Sequence, residues 1–474
     1  MDSMRSFPTS CSLLVVFSLL SSNQTAAQQP AERASHPNVL MIIVDDLNDY
    51  LFTRELPVKT PNLDRFFQSA VVFEHAYCAA PVCVPSRAAV FSGLAPYRTG
   101  CYLNGARPWI KSPFTHIESL PECFKRNGYL TFGRGKIFHS HPVMSRWKAM
   151  WDNEYWGGGF GPFPPKKDQL LGKFWGCTAW TGPDTDFPDV VNANAVIEFL
   201  NQKHSKPFFA VYGLWRPHTP FTSPKRFYDL YEPQKIPIPV PGWAPGDLAD
   251  IPQLGIKLTK VWGRRWELCG IRNPKRWRKF VHGYLAGSSF ADWNIGRVLN
   301  ALEKSRYATN TIVVLWSDNG YHCGEKNHWE KNTLWEKGAR TPMAIRIPWL
   351  CSEGVRCQQP VSSLDLYPTL IDLCHLSPPR HTFDGRSLVP LLRNPETKWP
   401  YPAITTYGEG YFSARDGRYR YIRYPDGSEE LYDHKTDPKE FHNLASDPNK
   451  RDLLRWFRKW IPSKFQKSMG GRLG

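Results

Sequence analysis

Four short apolar runs stand out along the chain: Asn38–Val44, Tyr129–Phe132, Pro207–Tyr212 and Thr311–Trp316. Each has the length and β-branched or aromatic content of a strand buried on both faces. Between them, apolar residues recur at helical spacing from Pro61 to Ala70 and from Ser289 to Lys304. Apolar strands alternating with helices predict an α/β fold, a large, mostly parallel sheet flanked by helices. After about His375 the pattern changes. A Pro-rich stretch with Pro378 and Pro379 leads into shorter segments, and Asp426-Gly427 has the composition of a hairpin turn joining Tyr419–Tyr424 to Glu429–Tyr432. This predicts a smaller C-terminal antiparallel sheet, with a terminal helix near Lys450–Trp460. The expected division is a leader at 1–27, a main α/β domain at 36–375 and a smaller subdomain at 376–474. Trp147–Pro183, rich in Trp, Gly and Pro, fits neither period and reads as a long surface excursion.

The first residues change the picture of where the protein works. Arg5 precedes the apolar run Ser12–Leu20, and Thr25-Ala-Ala27 supplies small residues for cleavage. This is the pattern of a signal peptide, so a secreted, periplasmic or lumenal location is expected. No later run is long enough to span a membrane. The formal charge of +17 favours a polyanionic partner such as a sulfated polysaccharide. Nucleic acid has only that charge in its favour, and export argues against it. Eleven cysteines permit disulfides in an oxidising compartment, with Cys351 and Cys357 the first candidates because they bracket a short loop. None of the spacings resembles a zinc site.

Each strong strand runs into a polar loop. The first ends in Asp45-Asp46, the second continues to Gly135-Lys136-Ile-Phe-His139, the third to Arg216-Pro-His218, and the fourth to Ser317-Asp318-Asn319-Gly320, with Lys331 beyond. Ligands of open parallel sheets bind outside the carboxyl ends of the strands, so these loops are expected to converge. Asp45, Asp46, Asp318 and Asn319 would then offer hard oxygen ligands, suited to Ca²⁺ or Mg²⁺ rather than zinc. Adjacent carboxylates resist joint ionisation unless a cation joins them. A helix cap or strand-end turn is the plainer reading of Asp45-Asp46 taken alone; the matching pair after another strand displaces it.

Cys83-Val-Pro-Ser-Arg87, continuing to Gly93, is the most specific segment. It places a cysteine just before an expected helix start, where free backbone N–H groups favour anions. This resembles the type I sulfatase signature, Cys-x-Pro-x-Arg, with Val84 and Phe91 departing from the usual residues outside that core. The resemblance extends from Asn38 to Glu430–Asp433 and Asp437-Pro438. It is most similar to the iduronate-2-sulfatase group through Val44-Asp45-Asp46, Gly135–His139, Pro217–Phe221 and Gly324-Glu325 with Trp329–Lys331.

The resemblance implies a sulfatase fold related to alkaline phosphatase and the hydrolysis of sulfate esters. It implies one Ca²⁺ held by Asp45, Asp46, Asp318, Asn319 and the Cys83-derived side chain. It also implies conversion of Cys83 to formylglycine by a separate maturation enzyme. A hydrated aldehyde carries two hydroxyls, one to attack sulfur and one to expel sulfate afterwards. In that scheme Arg87 holds the modified residue and its ligands, while Lys136 and Lys331 bind the sulfuryl group. His218 protonates the departing alcohol and His139 serves as base for the elimination, two roles that are interchangeable. The implied substrate is a sulfated uronic acid or another sulfated sugar. Tyr102, Asn104, Arg107 and Trp109 are candidates to shape its pocket. A phosphonate or phosphate monoester hydrolase of the same superfamily, and a sulfated-glycan-binding protein without turnover, are the competing readings. The basic residues Arg451, Arg455, Arg458, Lys459 and Lys464 read as a solvated helix face before a polyanion contact.

Overall fold

The computed structural model describes residues 36–139, 144–154, 156–237, 246–270, 272–350 and 353–471. The expected leader, with Cys11, and Cys351 of the expected disulfide lie outside the described residues. Seven strands form the main sheet: β1 Asn38–Asp45, β2 Val71–Phe73, β3 Leu130–Gly135, β4 Phe208–Pro217, β5 Thr311–Ser317, β6 Met343–Arg346 and β7 Val355–Cys357. Their order across the sheet is β7-β2-β6-β5-β1-β4-β3. β1 pairs in parallel with both β4 and β5, and β6 alone runs antiparallel to its neighbours. The long apolar runs are thus the centre of the sheet. The short strands β2, β6 and β7 carry too little pattern for sequence to find.

Strand alternation divides β1 between two cores. Leu40, Ile42 and Val44 face a cluster built on the helices Pro188–Asn201 and Pro274–Lys304. Val39, Met41 and Ile43 face a second cluster that includes the helices Cys83–Ser92, Leu120–Arg126 and Leu366–Cys374. With both faces covered, nothing but apolar side chains suits the central strands. The periodic stretch Ser289–Lys304 is only the second half of a 31-residue helix, and the one begun at Pro61 stops at Phe67.

A four-stranded antiparallel sheet (Ala403–Thr406, Phe412–Arg415, Tyr419–Arg423, Glu429–Asp433) follows, and the helix Arg451–Arg458 packs on it through Leu454 and Phe457. Tyr424 N–H donates to the Ser428 carbonyl at 3.0 Å, closing the turn at Asp426-Gly427. Residues Ala34–Gly474 form one compact unit. At the seam, Arg420 of the smaller sheet is ion-paired with Glu336 and with Glu440, the latter at 2.7 Å. These two acids and His434 form a group of metal-ligand type, but arginine already neutralises the carboxylates.

Trp147–Pro183 does run over the surface, most of its described residues being exposed or half-buried, but it is pinned by buried tryptophans: Trp147 and Trp151 are each 2% exposed and Trp175 is fully buried. Trp175 stacks on Phe280 with centroids 4.8 Å apart. The segment looks irregular because its anchors are single aromatics separated by turns, which leave no period to read.

Candidate active site

β1 delivers Asp45 at its last residue and Asp46 one step beyond. Asp46 takes a left-handed backbone, φ 63°, and its carbonyl accepts from the Tyr284 hydroxyl at 2.8 Å. β5 hands over Asp318 and Asn319, and Ser317 Oγ donates to the Val44 carbonyl while accepting from the Leu47 amide, tying the two strand ends together. The β1–β4 register is irregular between Ile43 and Asp45. There Asp189 accepts from the amides of Trp215 (2.7 Å) and Arg216 (3.2 Å), groups the irregular ladder leaves spare. The bend after β3 depends on Gly135: φ is +81° and a Cβ would lie 1.9 Å from the Gly213 carbonyl oxygen. That close approach turns Lys136 inward, its amide donating to the same carbonyl at 2.9 Å.

Cys83 is the first residue of its helix. Val82, at the N-cap, offers no capping side chain; instead Asn104 Oδ1 accepts from the Val84 amide at 3.0 Å. The Cys83 thiol is fully buried, 3.5 Å from Asp45 Oδ1, 3.0 Å from Lys331 Nζ and 3.8 Å from Lys136 Nζ. Lys136 is ion-paired with Asp45, and Lys331 Nζ lies 2.5 Å from Asp46 Oδ1. Arg87 bonds Asp318 Oδ2 through Nε at 2.7 Å, stands 3.7 Å from Asp45 Oδ1, and donates to the carbonyls of Lys136 and Ile137. His218 Nε2 lies 3.8 Å from Asp46 Oδ2. Its Nδ1 is 2.6 Å from the Thr219 carbonyl, which can only accept, so Nδ1 carries the proton. His139 makes no hydrogen bond to these groups through Nδ1; it packs on Phe160, centroids 6.3 Å apart.

The electrostatics follow from burying so many charges together. Burial would raise Asp45, but Lys136, His218 and Lys331 overcome it and hold the carboxyl at about 2. Burial pushes the Cys83 thiol up to about 12 against the pull of Lys136 and Lys331. The unmodified thiol is therefore neutral at ordinary pH and a poor nucleophile. Burial, reinforced by Lys136, His218 and Lys331, drives His139 down to about 2. His218 is likewise held well below its ordinary value, chiefly by burial. Lys331 is raised, because Asp46, Cys83 and Asp45 outweigh its desolvation.

The donor set fits a hard divalent ion. Oxygens of Asp45, Asp46 and Asp318 come within 4.8 Å of one another, as do ligand atoms of Asp45, Cys83 and His218. Asn319 donates from Nδ2 to Asp46 at 2.7 Å, while its buried Oδ1 has no partner. An orphaned buried acceptor beside three carboxylates is the arrangement a cation completes.

Other sequence-derived candidates are displaced. Tyr102 is buried, its hydroxyl donating to the Gln466 carbonyl at 2.9 Å. Trp109 packs in the core against Phe114 and Phe138. Asn104 and Arg107 are both exposed, and Asn104 holds the Val84 amide of the Cys83 helix. His322 and His328 are structural, the latter bonding the Lys331 carbonyl at 2.6 Å. Arg458 is paired with Glu429, and Arg455 with Asp452. Cys357 is a buried free thiol facing the Pro395 carbonyl. Sequence reading missed Phe160 and Trp215, whose rings lie 5.0 and 5.2 Å from Lys136 Nζ. No local signal marks them: Trp215 Nε1 donates to the Gly157 carbonyl and the Phe160 carbonyl accepts from Arg216, both between distant segments.

Comparison with known proteins adds a family to this geometry. The family profile described as "Sulfatase" matches residues 37–376, and that described as "N-sulphoglucosamine sulphohydrolase, C-terminal" matches residues 324–467. A sulfatase of Formosa agariphila is 37% identical over 463 residues, spanning 92% of this chain and 88% of its own. Human iduronate 2-sulfatase is 26% identical, over 88% of this chain and 80% of its own. Among solved structures, the phosphonate monoester hydrolase of Agrobacterium radiobacter superposes with a TM-score of 0.72 at 21% identity, covering 90% of this chain and 95% of that one.

Proposed function

Because the chain belongs to the sulfatase family and is a sulfuric ester hydrolase, we propose that it removes sulfate from a sulfated uronic acid or related sugar, using formylglycine at position 83 and one Ca²⁺. The observation that carries this reading is the meeting of Asp45, Asp46, Asp318, Lys136, Lys331 and Arg87 around a cysteine held neutral by burial. Such a thiol is badly placed to react as it stands, yet its surroundings suit an anionic tetrahedral group.

Formylglycine, made from Cys83 by a separate maturation enzyme, would supply a hydroxyl to attack sulfur and a second to release sulfate. Calcium, held by Asp45, Asp46, Asp318 and Asn319 Oδ1, would lend positive charge to the sulfuryl oxygens. The chain's own groups do the rest. Lys136 and Lys331 neutralise the bound anion, and Arg87 fixes Asp318 and the Lys136 backbone in one rigid frame. His218 points Nε2 into the site because Nδ1 is committed to Thr219. Neutral in the free protein, that imidazole takes a proton at Nε2 when the negative ester arrives, and donates it to the departing alcohol oxygen. His139, also neutral, is available to accept a proton during sulfate release.

The leader at 1–27 supports export, where sulfated polysaccharides are found, and the charge of +17 suits them. The likeness to a phosphonate monoester hydrolase concerns the fold. Parallel assays of an aryl sulfate and the matching phosphate or phosphonate ester test the choice of ester, with preference for sulfate expected. Mass spectrometry of the Cys83 peptide should show the thiol replaced by an aldehyde. Cys83→Ala and Cys83→Ser should both lose sulfate ester hydrolysis, and substantial turnover by either rules the mechanism out.

A further inference from the structure

Phe174 is 41% exposed, and an exposed apolar ring points to a ligand when it belongs to a contiguous patch. It does not stand alone. Its ring meets Phe160 edge-to-face at 5.4 Å and Phe163 edge-to-face at 5.3 Å. Phe160 in turn packs on the His218 imidazole at 4.7 Å and lies under Lys136 Nζ at 5.0 Å. The three phenylalanines therefore form a partly exposed strip that begins at the reactive centre and leads away from it. Lys173 sits at its outer end, Nζ 4.7 Å from the Phe163 centroid and 5.4 Å from that of Phe174.

The strip is built on fixed supports. Arg216, fully buried, donates to the Phe160 carbonyl at 2.8 Å. Trp215 Nε1 donates to the Gly157 carbonyl at 2.7 Å, and Asn192 Nδ2 bonds the same oxygen at 3.2 Å. At the outer end the Leu170 amide donates to the Trp175 carbonyl at 2.8 Å and the Trp175 amide to Gly172 at 3.1 Å. This tight turn buries Trp175 and leaves its neighbour Phe174 outside. Exposed rings held rigidly lose little entropy when a ligand covers them.

We propose that Phe160, Phe174 and Phe163, with Lys173, form a subsite for the sugar ring next to the sulfated one. Its ligand is a pyranose presenting an apolar C–H face to the rings and a carboxylate or sulfate to the Lys173 ammonium. Two observations select this occupant over a protein partner: the strip is continuous with the sulfate-ester site through Phe160, and the Lys173 ammonium at its outer end complements an anionic sugar. The assignment rests on the sulfate ester reading above.

The test uses the matured full-length enzyme with 4-nitrophenyl sulfate as reporter. Heparin- and chondroitin-sulfate-derived tetrasaccharides serve as competitors, and inorganic sulfate as a control. Phe174→Ala should leave aryl sulfate kcat/KM and inhibition by inorganic sulfate within about twofold, yet weaken the better tetrasaccharide about tenfold. Lys173→Gln should weaken it too, with a smaller dependence on salt than the wild type shows. Unchanged tetrasaccharide inhibition in both variants overturns the subsite, as does an equal loss toward aryl sulfate. So does a wild-type enzyme that hydrolyses aryl sulfate but is held by neither tetrasaccharide. Failure of the wild type to cleave any sulfate ester would instead strike the underlying activity.

Discussion

Arg87→Met removes the guanidinium while keeping an unbranched side chain of similar reach in the Cys83 helix. In the wild type this group is 1% exposed and serves Asp318 at 2.7 Å, Asp45 at 3.7 Å and two backbone carbonyls. Without it, the buried Asp318 keeps only the Asp46 amide, at 3.2 Å, as a donor. Breaking a buried ion pair from one side costs about 3–5 kcal/mol, and the stranded carbonyls add about 1 kcal/mol or more. The expected loss is therefore about 4 kcal/mol or more, at least roughly a thousandfold in the folding equilibrium. Urea unfolding followed by tryptophan fluorescence measures it, with both proteins in EDTA so that no divalent ion neutralises Asp318 in place of the arginine. Arg87→Lys restores the charge but not the fork, and should recover about half of the loss. A Met variant within about 1 kcal/mol of wild type would refute the idea that this arginine is the internal counter-charge of the cluster.

Three further outcomes are expected. Burial, then Arg340 and Arg415, hold His75 down from 6.5 to about 4. The unfolded chain therefore binds a proton in that interval that the folded chain does not. Stability is full above the upper value and falls through the window by roughly 3 kcal/mol as pH drops. His75→Gln should flatten that part of the urea midpoint against pH, and an unaltered slope would count against it. Gly135→Ala places a Cβ 1.9 Å from the Gly213 oxygen; soluble yield and thermal midpoint should both drop, and a variant matching wild type in both contradicts the packing described. Asn319→Ala removes the unpartnered Oδ1. Calcium affinity by calorimetry should weaken about tenfold or more, and unchanged affinity would take Asn319 out of the ligand set.

The sequence by itself determined the central strands and the polar groups at their ends. Strands buried on both faces must be continuously apolar, so Asn38–Val44 and Thr311–Trp316 announce themselves; the polar residues that follow must lie at the carboxyl edge. Asp45-Asp46, Cys83 with Arg87, Lys136, Asp318-Asn319 and Lys331 were legible for this reason, helped by a signature of fixed spacing. The tertiary structure alone decided which of these groups touch. Arg87 spans Asp318 and Asp45, positions 231 and 42 residues away in sequence, and no periodicity encodes such a meeting. It also decided that Trp175 is an anchor while Phe174 is exposed, and that Asn104 holds a helix amide. Those choices rest on close packing and on hydrogen bonds between distant segments, which single residues and local spacing do not record.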